Sequence, residues 1–416
     1  MSSHPRMTRT LAFVMGSLLL VGCATSNAST QVSSAPTAAP TAPQTTVATP
    51  SPTPTTPKPD PVTLTTSAAE GEVVAVDHRF TVTAAGGTVE SVALTSNDKR
   101  PEKQQVAGKL AEDKLSWTAG TLLEPGDTYT ATITAANKAG DLVTQTRTFT
   151  TQALTLKQQV YVNPIPGTGS TVGVAMPVVV TFDTPVVDKA SFEKNMTVTS
   201  TPAQKGSWRW LSSTQARWRP EVYWQAGTKV DINIDVNGVS AGNGLYGQES
   251  RTASFTIGRA AQISVNLTTH QLTQTVSGAV TRTIPITGGK PGFETRSGTK
   301  VIMERLESVD MDAATTGVGQ DSPEYYNLKD VKYAMRVTNS GEFFHAAPWS
   351  VGSQGKANVS HACVGMTTAN AQWLMANSIV GDPAVYTGSG RSMTLDNGWG
   401  DWNLSFAEYA KGSALK

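Results

Sequence analysis

The amino-acid sequence predicts a mainly β protein, with two β-sandwiches in tandem followed by a third β-rich domain that has one short helix. Three observations predict this class. Residues 129–134 (Tyr-Thr-Ala-Thr-Ile-Thr) alternate with the period of two that a half-buried strand requires. A strand-and-turn pattern recurs after 101 residues. Beyond residue 259, good helix formers cluster with an apolar side only once, after Thr367.

Residues 1–23 have the composition of a bacterial export signal. Arg6 and Arg9 supply positive charge, and Leu11–Val21 is an apolar run too short to span a bilayer. The run ends in Leu-Val-Gly-Cys, which resembles the bacterial lipoprotein box, where the cysteine is acylated and the peptide is cut just before it. We therefore predict a lipoprotein signal peptide with lipidation at Cys23. An ordinary signal peptide with an incidental cysteine is the alternative.

Residues 24–60 form a low-complexity segment. They contain almost only Ala, Thr, Ser, Pro, Gln and Val, and charge occurs only at Lys58 and Asp60. Such a segment cannot bury enough apolar surface to offset the entropy of ordering. We predict a disordered tether that could extend on the order of 100 Å, which suits a protein anchored at a membrane and acting in the wall above it.

The recurring pattern predicts two similar domains. The copies share a tryptophan, a glycine nine residues later and apolar residues after 12 and 16: Trp117, Gly126, Tyr129 and Ile133, then Trp218, Gly227, Val230 and Ile234. The offset is about the size of an immunoglobulin-like sandwich. We predict immunoglobulin-like domains at residues 61–153 and 154–258, with a spacer role as the modest interpretation. Chance alignment of common strand residues is the alternative.

Residues 259–386 are predicted to form the third domain. Residues 263–267 and 281–286 have strand patterns, and Thr367 or Thr368 caps the predicted helix. Residues 387–416 are predicted to form a C-terminal extension that packs on this domain.

Composition and spacing argue against several functions. The chain of 416 residues is 16% charged, its net charge is +1, and it has no basic run, so we predict no nucleic-acid binding. No later segment is apolar enough to span a membrane. No paired-cysteine spacing supports a metal site.

The chain has two cysteines, and lipidation of Cys23 would leave Cys363 without a disulfide partner. A single thiol in an exported protein is a candidate nucleophile, provided that a base takes its proton. His345 is the candidate base, since a loop rich in Gly and Ser separates the two and could bring them together. A buried, inert cysteine and a histidine that holds a loop are the alternatives.

His361 lies two residues before the thiol. On a strand, both side chains would point to the same face. His361 is therefore either a second base or a residue that orients the loop. The helix after Cys363 would favour a thiolate if its N-terminus pointed there, and nearby N–H groups could hold an oxyanion.

These segments resemble the catalytic signature of the L,D-transpeptidases (YkuD type). That signature is a histidine, a loop and then S/T-H-G-C. This chain has Phe-Phe-His-Ala-Ala-Pro-Trp at 343–349 and Ser-His-Ala-Cys at 360–363. Residues 311–318 and the Tyr325-Tyr326 pair resemble the active-site flap of actinobacterial members, and residues 400–403 resemble their C-terminal extension. The tandem sandwiches and the lipoprotein start match the same group.

The resemblance implies a peptidoglycan cross-linking enzyme and a carbapenem target. Cys363 would attack the amide between the third residue and the terminal D-alanine of a stem tetrapeptide. His345 would take the thiol proton and return it to the departing D-alanine, and an amine of a neighbouring stem would then attack the thioester. The family uses no metal or organic cofactor, and thiolate chemistry needs none.

The resemblance also implies supporting roles. The N–H groups of Ala362 and Cys363, together with Tyr326, would hold the oxyanion, while Ser360 and His361 would shape the loop. The substrate flap would include Met311, Tyr325 and Trp349.

Three residues depart from the family pattern. Ala362 replaces the usual glycine, which would cost roughly 1 kcal/mol if the backbone is left-handed there and little if it is extended. Gly365 stands where Asn or Arg is usual. Ala346 replaces a serine beside the histidine, and a backbone carbonyl could orient the imidazole instead.

Three functions remain open at this point. The first is an active transpeptidase, the second an L,D-carboxypeptidase that uses water as acceptor, and the third a catalytically impaired wall-binding lipoprotein. The expected partners are peptidoglycan stem peptides and, through the lipid anchor, the outer face of the cell membrane. The oligomeric state is left open.

Overall fold

The computed structural model describes residues 60–415, most of which form strands and the turns between them. The predicted signal peptide, with Cys23, and all of the predicted tether except its last residue lie outside the described residues. Within the described part of the chain, no helix is long and apolar enough to cross a membrane.

The first sandwich has nine strands in two sheets. Its strands are β1 (Thr63–Thr66), β2 (Val73–Val74), β3 (Thr81–Ala85), β4 (Gly87–Ser96), β5 (Gln105–Val106), β6 (Gly108–Leu110), β7 (Ser116–Ala119), β8 (Thr128–Asn137) and β9 (Leu142–Thr151). The sheet orders are β1-β3-β7-β6 and β2-β9-β8-β4-β5. Phe80, just before β3, stacks on Phe149 of β9 at 4.8 Å between ring centroids, so the core joins the two sheets.

The second sandwich contains three sheets and a short helix. Its elements are β10 (Gln159–Val160), β11 (Val162–Ile165), β12 (Thr171–Val172), β13 (Val178–Phe182), α1 (Lys189–Lys194), β14 (Met196–Thr201), β15 (Gly206–Trp210), β16 (Gln215–Pro220), β17 (Lys229–Ile234), β18 (Ser240–Gly242), β19 (Leu245–Gly247) and β20 (Arg251–Ile257). The sheet orders are β11-β13-β16-β15, β12-β20-β17-β14 and β10-β19-β18.

The sequence repeat corresponds to a structural repeat. Trp117 and Trp218 are buried in β7 and β16, which both lie inside four-stranded sheets. Gly126 and Gly227 have φ of +83° and +81°, a left-handed backbone that glycine adopts without strain. Each glycine precedes the next long strand, β8 or β17, by two residues. The prediction of two tandem sandwiches is confirmed.

The third domain packs two sheets around a helix. Its elements are β21 (Ala261–Asn266), β22 (Gln271–Val276), β23 (Ala279–Pro285), β24 (Gly298–Val301), β25 (Glu304–Asp312), β26 (Asn327–Arg336), β27 (Phe343–Ala346), β28 (Val364–Met366), α2 (Thr368–Ala376) and β29 (Pro383–Thr387). The sheet orders are β23-β22-β21-β29-β24 and β25-β26-β27-β28. Helix α2 begins after Thr367, whose hydroxyl accepts a hydrogen bond from the Asn370 amide at 3.2 Å. The predicted helix is therefore at its expected place.

Two short helices were not predicted. Helix α1 belongs to the second sandwich, and α3 (Phe406–Ala410) belongs to the C-terminal extension. They have six and five residues, too few to show a helical period in the sequence.

The C-terminal extension contacts more than the sequence analysis predicted. Asn403 accepts a hydrogen bond from the Thr299 amide of the third domain at 2.8 Å. Asp401, however, pairs with Arg217 of the second sandwich at 3.0 Å, and both side chains are buried. The indole of Trp402 donates to the carbonyl oxygen of Ala175, also in the second sandwich. The extension therefore contacts the third domain and also supplies the buried partner that the arginine in β16 needs.

Candidate active site

Two neighbouring strands bring the predicted base and nucleophile together. Strand β27 carries His345, and β28 begins directly after Cys363; the two strands pair in parallel, with His345 opposite Gly365. A cavity of about 270 Å³ opens at this point. Its lining residues are Met311, Tyr326, Leu328, His345, Trp349, Val359, Ser360, His361 and Cys363. Most of the predicted site residues therefore share one cavity.

The thiol of Cys363 is buried and protonated. The residue is 6% exposed, and its Sγ donates a weak hydrogen bond to the carbonyl oxygen of Gly341 at 3.5 Å. Burial raises the pKa of the thiol to about 12, and the negative charge of Glu342 adds to this shift, while Lys300 opposes it. At neutral pH the side chain of Cys363 is thus a thiol, which can act as a nucleophile only if a base takes its proton.

The imidazole of His345 is neutral, and its second nitrogen has no hydrogen-bond partner among the residues that the structure describes. Its Nδ1 lies 2.9 Å from the carbonyl oxygen of Ala346. A carbonyl can only accept, so we assign the proton to Nδ1, which leaves the lone pair of Nε2 available as a base. Burial lowers the pKa of His345 below its usual value. The ring also stacks on Trp349, with centroids 5.8 Å apart. The backbone carbonyl supplies the orientation anticipated where Ala346 replaces serine.

The loop before Cys363 is held by its own serine. The hydroxyl of Ser360 donates to the carbonyl oxygen of Cys363 at 2.6 Å. Ala362 has a φ of +84°, so the backbone is left-handed at this residue. Among residues 60–415, the amides of Ala362 and Cys363 have no hydrogen-bond acceptor. Two free N–H groups beside a nucleophile are suited to stabilising an oxyanion.

His361 binds the flap instead of acting beside the thiol. The residue lies in a bend, so the strand geometry considered for residues 361–363 does not apply. Its Nε2 lies 2.8 Å from a carboxylate oxygen of Glu324. The centre of its ring lies 4.4 Å from the ring centre of Phe293 and 5.0 Å from that of Tyr326. The lysine Lys290 pairs with the same carboxylate. These contacts connect the catalytic loop to the flap.

The flap is the connection between β25 and β26, residues 313–326. Tyr326 at the end of the flap and Met311 in β25, just before it, both line the cavity. Burial raises the pKa of Tyr326 to about 12, so its hydroxyl remains a proton donor. Tyr325 is not part of the cavity lining, and its hydroxyl accepts instead from Asn327 at 3.5 Å. Tyr325 lies within the flap segment, and its role toward the substrate stays a prediction.

Comparison with known proteins identifies the family. Residues 71–240 match the bacterial Ig domain family (Big_10), a match that runs through both sandwiches. Residues 260–385 match the L,D-transpeptidase catalytic domain family (YkuD). L,D-transpeptidase 2 of Mycobacterium tuberculosis is 36% identical over 354 residues, which is 84% of this chain and 85% of that protein. This chain belongs to the L,D-transpeptidase family.

The chain is also similar to further L,D-transpeptidases. L,D-transpeptidase 5 of Mycobacterium tuberculosis is 31% identical, and the match covers 79% of this chain and 72% of that protein. Among solved structures, an L,D-transpeptidase from Mycobacterium smegmatis is 36% identical and covers 55% of this chain and 99% of its own, with a TM-score of 0.46. The structure of LD transpeptidase LdtMt1 in complex with imipenem is 38% identical in sequence. The match covers 54% of this chain and 97% of that chain, with a TM-score of 0.48.

The glycine at 365 in this transpeptidase has a local explanation. A Cβ built on Gly365 would lie 2.8 Å from the Cβ of Ala347 and 3.2 Å from the methyl group of Thr287. The backbone amide and carbonyl of Gly365 both bond to Thr287. A larger residue here would therefore force the strand next to His345 to shift.

A buried ionic cluster next to the thiol was missed by sequence reasoning. Lys300 and Glu342 form an ion pair in which Lys300 is fully buried and Glu342 is 2% exposed. Arg296 binds the other carboxylate oxygen at 2.6 Å, and the ammonium group lies 3.7 Å from the centre of the Tyr386 ring. Burial lowers the pKa of Lys300 to about 8. Charged residues in strands are normally expected to be exposed. The one hint of burial in the sequence is the position of Glu342 directly before the apolar strand that starts at Phe343.

Proposed function

We propose that this protein is a peptidoglycan L,D-transpeptidase that forms cross-links by cysteine acyl transfer. The observation that supports this function best is the arrangement of Cys363 and His345 in one cavity, with the Nε2 of the histidine free to accept a proton. Membership of the L,D-transpeptidase family supports the same reaction class.

The first half-reaction forms an acyl-enzyme. The Nε2 of His345 takes the proton of the Cys363 thiol as Sγ attacks the carbonyl carbon between the third residue of a stem tetrapeptide and its terminal D-alanine. A C–S bond forms, and the carbonyl oxygen becomes an oxyanion. Collapse of this intermediate breaks the C–N bond, and the imidazolium gives its proton to the departing amine, so that D-alanine leaves.

The oxyanion is stabilised by groups already in place. The amides of Ala362 and Cys363 are free to donate, and the hydroxyl of Tyr326 lies in the same cavity. One such donor typically contributes about 3 kcal/mol to the barrier reduction. The burial that disfavours a thiolate also excludes water, which strengthens these hydrogen bonds.

In the second half-reaction an amine of a neighbouring stem attacks the thioester. His345 takes a proton from this amine, the C–S bond breaks, and the thiol is regenerated as the new amide forms. No metal or organic cofactor takes part in these steps. If water replaced the amine, the same acyl-enzyme would release a tripeptide stem, which would make the enzyme an L,D-carboxypeptidase.

We also propose that Cys23 carries a lipid that anchors the protein to the outer face of the cell membrane. The residues from 24 to 60 would then allow the catalytic domain to reach the wall. Replacement of Cys23 by alanine should release the protein from the membrane fraction, whereas continued membrane association of C23A would contradict the anchor.

Covalent labelling tests the proposed nucleophile. Purified protein incubated with imipenem should gain the mass of one intact drug molecule, because opening of the β-lactam ring leaves a thioester on the enzyme. The C363A variant should gain no mass. An unmodified wild-type protein that becomes labelled only as A362G would instead support a catalytically impaired wall-binding protein.

A further inference from the structure

Thr295 is a buried residue to which neither the proposed mechanism nor the sequence analysis gives a role. It lies in the segment between β23 and β24 and is 1% exposed. Its hydroxyl donates to the carbonyl oxygen of Ala362 at 2.8 Å. The hydroxyl oxygen of Thr295 in turn accepts a hydrogen bond from the amide of Gly289, also at 2.8 Å. Because the amide can only donate, the hydroxyl proton is directed at Ala362.

This hydrogen bond determines where the amide of Cys363 points. The carbonyl of Ala362 and the N–H of Cys363 belong to one planar trans peptide group, in which the two bonds point in opposite directions. With the carbonyl oxygen held by Thr295, the N–H is directed away from Thr295. That N–H has no acceptor among the described residues. On the other side of Cys363, Ser360 holds the next carbonyl oxygen, so both peptide groups of the nucleophile are fixed.

The contact also opposes the strain at Ala362. A residue with a Cβ disfavours the left-handed backbone that Ala362 adopts at a φ of +84°. Rotation toward an ordinary φ would move its carbonyl oxygen away from Thr295. Gly289 permits the close approach: a Cβ there would lie 2.9 Å from the Cα of Ala362 and 2.0 Å from the carbonyl oxygen of Phe293.

We propose that Thr295 is a positioning residue for acyl transfer, which aims the Cys363 amide at the oxyanion and holds Ala362 in its left-handed conformation. This inference rests on the proposed transpeptidase function. The Thr295 hydroxyl would keep the N–H groups that bind the oxyanion in place, even though alanine stands at residue 362 where the family usually has glycine.

The test compares T295A with T295S, since both remove the methyl group and only T295S keeps the hydroxyl. Each full-length variant carries C23A as well, so that Cys363 is its only thiol, and two rates are measured: acylation by imipenem, which passes through an oxyanion, and alkylation of Cys363 by iodoacetamide, which does not. We expect T295A to slow acylation about 10- to 100-fold and to change alkylation less than about twofold. T295S should keep most of the acylation rate. A362G in the T295A background should recover part of it, because glycine adopts the left-handed backbone without help.

Several results would overturn the inference. These are acylation of T295A at the wild-type rate, an equal loss of acylation and alkylation, a T295S variant as slow as T295A, or no recovery by A362G. Should T295A fail to fold, T295V retains the side-chain volume and replaces it; failure of both would show a purely structural role. Absence of acylation in the wild type is a different outcome, because it contradicts the proposed function itself.

Discussion

The thiol of Cys363 donates its hydrogen bond to the carbonyl oxygen of Gly341, 3.5 Å away. A carbonyl oxygen stabilises the neutral thiol and offers nothing to a thiolate. Burial acts in the same direction and raises the pKa of Cys363 to about 12. Burial outweighs the backbone hydrogen bond from Phe343 that favours a thiolate, so Cys363 rests as a thiol. In the proposed reaction, His345 therefore takes the thiol proton as attack on the substrate begins.

The first prediction concerns the reactivity of this thiol. Because the raised pKa keeps Cys363 protonated, its alkylation by iodoacetamide at pH 8 should be far slower than that of a free cysteine, whose pKa is about 8.5. The rate should rise as the pH increases from 8 toward the folded-state pKa of about 12. A C23A protein with Cys363 as its only thiol is the suitable sample, and the same protein unfolded in urea is the control. Equal rates for both at pH 8 would contradict the assignment.

The second prediction concerns the base. Burial lowers the pKa of His345, so its imidazole remains neutral and competent at pH values where an exposed histidine is already protonated. The imipenem acylation rate should therefore fall only when the pH drops through a midpoint below about 6.5, the ordinary histidine value. A pH–rate profile measures this midpoint. An acid limb centred above 6.5 would mean that another group is the base or that His345 is stabilised as a cation.

The third prediction concerns Ala362 and stability. Since Ala362 is left-handed, A362G should raise the free energy of unfolding by about 1 kcal/mol. Ala369 provides a matched control, because it is exposed in α2 with an ordinary helical backbone, and A369G should lower stability by about 1 kcal/mol. Urea denaturation of both variants compares the same chemical change at the two sites. Destabilisation by both substitutions would show that the left-handed backbone at Ala362 carries no cost.

The fourth prediction concerns the buried ionic cluster. E342Q removes the carboxylate that Lys300 and Arg296 share and leaves a buried ammonium group without a counter-ion. We expect a loss of about 3–5 kcal/mol in the free energy of unfolding. K300M should lower the free energy of unfolding clearly less than E342Q does. In K300M, Glu342 is still paired with Arg296, and the methionine side chain fills the space of the lysine.

The double variant E342Q/K300M separates charge from shape. If the loss in E342Q comes from the stranded charge of Lys300, removing that charge as well should restore part of the stability. Denaturation measurements on the three variants form a double-mutant cycle. Additive losses would show that the pair is not coupled.

Much of this architecture was predictable because it depends on local patterns. The Trp117 and Trp218 repeat identified the two sandwiches, since the spacing between a core residue, a turn glycine and the next strand is a property of the chain itself. The helix cap was narrowed to Thr367 or Thr368 for the same reason, and the structure places it at Thr367. His345 and Cys363 were found because their chemistry is distinctive and they lie only 18 residues apart.

The missed features depend on contacts between distant segments. Thr295 contacts Ala362 across 67 residues, and Arg217 meets Asp401 across 184. Neither pair has a local signature, because nothing near Thr295 or Arg217 indicates which backbone or carboxylate will lie opposite. The conformation of Ala362 was left as an alternative between left-handed and extended backbone, and only its packing against Gly289 and Thr295 decides between them.

The most direct test of the central claim is incubation of the purified enzyme with a disaccharide-tetrapeptide, followed by mass spectrometry of the products. We expect a thioester on Cys363, release of D-alanine and accumulation of a cross-linked dimer. All three should be absent in C363A. Tripeptide product without any dimer would show that water is the acceptor and that the enzyme is a carboxypeptidase. An unchanged tetrapeptide and an unmodified Cys363 would contradict the account.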